Sequence, residues 1–198
     1  MADTRNENLS FSGGDVVAFC SPLGTVAPTA FEVLSAPWIC LGWIDVAGYT
    51  FKLAETIKEI PAAGTLSPIR TIISARTKSF DATYLEAVNP MVMALYDDVP
   101  LATVLPATGQ TKVVYTLPEV PTDHRYAWVF DTFDGDKQIR TFAPNGKVTA
   151  RGNDQAQQGD ITMLQMTTTL YPDQIGAVRA ATQKYVQYGA ASLTAFTS

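Results

Sequence analysis

The chain has 198 residues, of which 46% are hydrophobic and only 17% charged, with a formal net charge of −5. That length suits one compact domain with flanking arms. An acidic chain lacks the cations that displace counterions from phosphate, which argues against tight binding of nucleic acid. So low a charged fraction predicts that partners cover part of the surface.

Residues 1–14, MADTRNENLSFSGG, are polar and end in a Gly pair, which predicts an N-terminal arm. No basic region followed by an apolar run opens the chain, and no apolar stretch is long enough to span a bilayer. The expectation is a protein made in a cytoplasm without membrane insertion. VVAFC (16–20) then reads as a strand, broken by Pro22, Gly24 and Pro28. WICLGWID (38–45) and YTFKL (49–53) flank Asp45-Val-Ala-Gly48, whose turn chemistry predicts a hairpin. Residues 54–68, AETIKEIPAAGTLSP, read as a long polar connection, and such a length marks a functional or partner-bound loop.

IRTIISARTKSFDATYLE (69–86) is the longest strand-like stretch. Its apolar face changes part-way, predicting a bulge near Thr77–Ser79. A helix follows, with Asn89 as N-cap, Pro90 at the first helical position and MVMALY as its body. Further strands are predicted at 112–117, 125–133, 137–143 and 147–152, with Asp134-Gly135 and Asn145-Gly146 as hairpin signals. In DITMLQMTTTLY (160–171), Leu164, Met166 and Leu170 fall on one face, and Gln165, Thr167 and Thr169 on the other. Pro172–Ser198 carries weak helical spacing and is expected to form a C-terminal arm, leaving 15–172 as the domain.

Chemistry is sparse. Cys20 and Cys40 lie in apolar settings without CxxC spacing and read as buried free thiols. The single histidine, His124, sits in a turn beside Asp123 and reads as a surface residue, because sequence neighbours do not orient one another as an acid–base pair. Asp131, Asp134 and Asp136 lack the spacing and closing Glu of a calcium loop and read as a hairpin tip. No GK[ST], GxSxG or HExxH motif is present. The expectation is no catalytic residue, no metal and no cofactor. Trp38, Trp43 and Trp128 read as core. Arg70, Arg76 and Lys78 read as one strand face, able to meet an adjoining subunit or water.

The order of these features resembles the major tail (tail-tube) proteins of long-tailed, non-contractile phages, especially those of actinobacteria. The resemblance rests on GDVVAFCSPLGTVAPT (14–29), LGWIDVAGYTF (41–51), Ile60-Pro61-Ala62, Ile69-Arg70, SFDATYLEAVNPMVMALY (79–96) and LQMTTTLYPD (164–173). It implies a mainly β subunit, a tail-tube-type β-sandwich or barrel with one flanking helix. It also implies a homo-oligomer of hexameric rings stacked into the tail of a virion, with tape-measure, tail-tip and terminator proteins as partners. DNA would pass through the lumen without specific binding. The connection at 54–67, with Glu55, Lys58, Glu59, Ile60 and Pro61, is then expected between rings, and Gln165, Thr167 and Thr169 become candidates for the lumen. The other readings of the sequence are a monomeric β-sandwich binding module and an accessory subunit such as a tail terminator.

Overall fold

The computed structural model describes residues 10–61, 63–64, 67–120, 122–154 and 159–189. The outer parts of both expected arms, 1–9 and 190–198, and residues 62, 65 and 66 of the expected connection lie outside the described residues. The elements are strands β1 (Asp15–Pro22), β2 (Ile39–Cys40), β3 (Ile44–Ile60) and β4 (Arg70–Tyr84), helices α1 (Pro90–Asp97) and α2 (Leu101–Val104), then β5 (Tyr126–Asp134), β6 (Lys137–Arg151), β7 (Leu164–Leu170), β8 (Asp173–Ile175), β9 (Val178–Ala180) and β10 (Gln183–Gln187). An eight-stranded antiparallel sheet runs β2-β1-β5-β6-β7-β4-β3, with β10 also paired to β6. The protein is mainly β, as the sequence predicts.

The sheet curls, because rings from distant strands meet. Tyr49 and Phe51 of β3 and Phe80 of β4 all contact Phe130 of β5, with centroids 4.9, 5.4 and 4.4 Å away. The Tyr49 hydroxyl also bonds Thr132 of β5. These rings join Trp128, Tyr84, Leu164, Met166 and Leu170 in the main core, capped by Met91, Val92 and Leu95 of α1. A smaller core lies on the opposite sheet face. There Ala127, Val129 and Phe142 are covered by Ala27, Leu34 and Trp38 of the 23–38 segment and by Ile175 and Tyr185.

Helix α1 starts where the sequence places it. Asn89 Oδ1 accepts from the Met91 N–H at 3.0 Å and Pro90 occupies the first turn, where its missing N–H costs nothing. It ends at Asp98, which takes the left-handed conformation at φ 54°. The single turn α2 follows Pro100. Asn89→Ala is expected to cost about 1 kcal/mol, read as a lowered urea midpoint at unchanged m. An unchanged midpoint would remove the cap from the account.

Several expectations are corrected by long-range pairing. Asp45–Gly48 makes no hairpin: β3 runs straight through it, as a bulge between the pairs Ile44–Tyr84 and Tyr49–Ala82. Gly48 spends its positive φ of 68° on that bulge. Residues 54–60 are strand, not connection, because each pairs with a residue of β4, and the chain reverses only beyond Pro61. The bulge expected near Thr77–Ser79 falls at Ser74, skipped between the pairs Thr56–Ala75 and Ile57–Ile73, where its hydroxyl donates to the Thr56 carbonyl.

The hairpin predicted at Asp134-Gly135 forms one residue later, around Gly135-Asp136, but Asn145-Gly146 lies inside β6. Gly146 is demanded by packing: a Cβ there would sit 2.7 Å from Trp128 Nε1. Residues 112–117 form no strand, helix, turn or bend and have no strand partner among the described residues. The segment expected to open a C-terminal arm instead supplies β8, β9 and β10, with β10 on the stretch of β6 that β7 leaves free. Cys20 is buried, but Cys40 is exposed, and both thiols are free. Trp128 is fully buried and Trp38 partly so, whereas Trp43 is 71% exposed, since alternation gives the inward position to Ile44.

Candidate assembly surfaces

The outer halves of β3 and β4 leave the body of the domain as a two-stranded arm. From Lys52 to Glu59 and from Arg70 to Thr77, residues on both faces are exposed. At ~3.3 Å per residue the part from Leu53 to Ile60 projects about 25 Å. Alternation follows the cross-strand pairs. Tyr49, Phe51, Leu53, Glu55, Ile57 and Glu59 share the face that continues the main core, and Lys52, Thr56, Lys58 and Ile60 take the other. Leu53, Ile57, Ile69, Ile72 and Ile73 expose between 36% and 65% of their surface. An isolated two-stranded ribbon is marginal in water, and apolar side chains along it call for a cover.

The expected inter-ring residues therefore sit on this arm rather than in a loop. Glu55 accepts from Arg76 Nε at 2.6 Å, Lys58 and Glu59 project from opposite faces, and Ile60 and Pro61 lead into the tip. Arg70, Arg76 and Lys78 do not share one face. The bulge at Ser74 reverses the alternation, so Arg70 pairs with Ile60 on one face while Arg76 and Lys78 pair with Glu55 and Leu53 on the other. At the arm's root, Lys78 Nζ donates to Thr182 Oγ1 at 2.9 Å.

A second surface is the polar face of β7 and its neighbours. Leu164, Met166, Thr168 and Leu170 point into the core, leaving Gln165, Thr167 and Thr169 outward, as alternation predicts. Across β4 these three pair with Thr83, Asp81 and Ser79, so the structure brings them together in a strip of hydroxyls and amides. Thr167 Oγ1 donates to Asp81 Oδ1 at 2.8 Å, and Thr169 Oγ1 lies 2.9 Å from Thr149 Oγ1. The strip also holds two lysines the sequence reading left out, and each is matched by a carboxylate. Lys52 pairs with Asp81, and its ammonium, with help from Thr167, holds that carboxyl below the usual range. Lys147 Nζ lies 2.9 Å from Asp123 Oδ1. Asp123 is pulled down to about 2 by Arg125 first and Lys147 second. Gln165 also borders a polar cavity of about 360 Å³ with Asp45, Thr83, Asn153, Asp160, Ile161 and Met163.

His124 bonds Asp98 at 3.2 Å, away from that cavity, and the adjacent Asp123 serves Arg125 and Lys147 instead. Of the acidic trio read as a hairpin tip, Asp131 is instead buried in β5. It makes a two-pronged ion pair with Arg140 of β6, at 2.8 and 2.7 Å. Arg140 Nη1 also donates to the carbonyls of Ala30 and Glu32, both at 2.9 Å, which ties the 23–38 segment to the sheet. A signal for a hairpin here was present, but the pairing was not: the turn falls at Gly135-Asp136, one residue beyond the predicted Asp134-Gly135, and that shift sets Asp131 opposite Arg140.

A curled antiparallel sheet, an exposed arm and an ordered polar face define a subunit built to associate. The family comparison names that class. A profile of the phage tail tube protein family matches residues 3–182, and the chain belongs to that family. It is accordingly a structural component of a phage virion's tail, a subunit of a homo-oligomeric tube, and not an enzyme. Among solved structures, the tail tube of SPP1, determined by solid-state NMR and cryo-EM, is similar at 10% identity with a TM-score of 0.43, covering 94% of this chain and 85% of that one. No curated protein matches the chain.

Proposed function

We propose that the chain builds the tail tube as stacked hexameric rings, and that the phage genome passes through their bore into the host. The observation that carries this reading is the arm, whose two strands expose both faces and a run of isoleucines outside any core of their own. A head-to-tail contact made by such an arm closes a ring when the rotation closes, and it removes free strand edges from water. In this reading the segment 54–67, with Glu55, Lys58, Glu59, Ile60 and Pro61, reaches a neighbouring subunit. Arg70, Arg76 and Lys78 supply charge at that contact. Residues 1–14 and 173–198 act as arms at the margins of the 15–172 domain, the second anchored by β10. Assembly takes place in the host cytoplasm, with tape-measure, tip and terminator proteins as partners of the finished tail.

The bore is lined by Gln165, Thr167 and Thr169. Their hydroxyls and amides hold water, and the adjacent lysines are matched by carboxylates, so passing phosphates meet little free positive charge. Polymerisation of the purified chain tests the tube itself. The bore is tested by DNA binding to assembled tubes at low salt. Wild-type tubes are expected to bind weakly, and the double variant Thr167→Lys, Thr169→Lys to retain DNA in a salt-dependent way. Tight, salt-sensitive binding by wild-type tubes would sink this assignment, as would a lysine variant indistinguishable from wild type.

A further inference from the structure

Residues 111–117, TKVVYTL, have the composition of a strand and form no helix, turn or bend, yet none of their backbone N–H or C=O groups has a backbone partner among the described residues. Nor is the segment loose on the surface. Tyr115 packs beside Ala94, Val99 and Val104, and its hydroxyl donates to Asp97 Oδ2 at 2.6 Å. Alternation then turns Lys112, Val114 and Thr116 outward, and Val114 is 97% exposed. The result is a strand-like segment held by Tyr115, with no backbone hydrogen-bond partner among the described residues.

The same subunit offers a matching edge. β3 is the last strand of its sheet, and its outer edge carries no partner strand among the described residues. From Tyr49 to Ile60 it is uninterrupted, because the bulge within this stretch lies on β4 and the one on β3 ends at Gly48. The free edge of β4 is less suitable, since Ser74 breaks its regular spacing.

We infer that residues 111–117 of one copy add as an antiparallel strand to the outer edge of β3 in a second copy, with Lys112 opposite Glu59 and Val114 opposite Ile57. Charge and polarity select this register. Lys112 and Glu59 are both exposed and have no ion-pair partner among the described residues, and setting them opposite matches their charge. The same alignment lays Val114 on Ile57, two exposed apolar residues on one face, and keeps Tyr115 free to hold its own domain. A slip by one residue would turn Val114 onto Lys58 and lose both matches. Added strands gain affinity from main-chain hydrogen bonds and specificity from alternate side chains, which is how this edge and this segment are built.

This inference rests on the tail-tube reading and names the segment that meets the arm. Its test uses the full chain with Cys40→Ser, co-assembling copies that carry Val114→Cys with copies that carry Ile57→Cys. Mild oxidation is expected to link the two copies in tubes but not in dilute monomer, while Lys58→Cys on the opposite face links far less. A second variant, Val114→Pro, deletes one ladder donor at an exposed site outside any helix, whose N–H has no backbone partner among the described residues. It is expected to raise the concentration needed for assembly by about ten-fold or more with an unchanged monomer melting temperature. Tubes that form without linkage between positions 114 and 57 overturn the strand addition and leave the tail-tube reading standing. A wild-type chain that forms no polymer overturns both.

Discussion

Replacing residues 56–75 by Asn-Gly is expected to leave a folded, soluble monomer that forms no tubes. The graft joins Glu55 to Arg76, which already face each other in the β3–β4 ladder, by the two-residue turn that best suits a right-twisted hairpin. Among the described residues of 56–75, all but the half-buried Ile60 are exposed, and none belongs to a core cluster. Monomer stability should therefore change by less than about 1 kcal/mol, as is usual for surface changes. Assembly should fail outright, because the arm's isoleucines and the outer part of the free β3 edge are removed together. Sedimentation and melting of the same sample separate the two effects. Normal tubes from the shortened chain would contradict the role given to the arm; a monomer that unfolds would show that the arm supports its own domain.

Arg140→Ala is expected to cost about 3–5 kcal/mol, the usual penalty for leaving one partner of a buried ion pair uncompensated. Arg140 and Asp131 are each only 4% exposed at the side chain, so water cannot replace the lost guanidinium. The carbonyls of Ala30 and Glu32 lose their donor at the same time, which loosens the 23–38 segment from the face that holds Val129 and Phe142. A domain stable by about 5–15 kcal/mol would lose a large share of that stability. Arg140→Met combined with Asp131→Leu should recover most of it, since an apolar pair of similar volume carries no desolvation cost. Urea unfolding of the three proteins checks the claim. A loss under about 1 kcal/mol for Arg140→Ala would mean the pair is not uncompensated as described.

What could be read from the sequence was what local chemistry decides. Asn89 and Pro90 act within one turn of helix, so α1 was legible to its first residue. Leu164, Met166 and Leu170 lie on one buried face, so β7 and its outward Gln165, Thr167 and Thr169 were legible too. The arm was not, because a strand exposed on both faces leaves no apolar alternation, and AETIKEI then looks like a polar connection. Asn145-Gly146 looked like a turn because turn chemistry and close packing both select glycine; only the tertiary approach of Trp128 distinguishes them. Residues 112–117 have strand composition, but a ladder needs a partner, and pairing is decided between distant segments. The reversed placement of Arg70 relative to Arg76 and Lys78 depended on a single bulged residue, Ser74, which strand periodicity cannot locate.

The proposed function requires that copies of this chain associate into a hollow tube. Negative-stain electron microscopy of the purified full-length protein, imaged over a range of concentrations, tests it most directly. Rings are expected at low concentration and hollow tubes of uniform diameter as concentration rises. Dispersed monomers at every concentration, or aggregates without a central bore, would contradict the proposal.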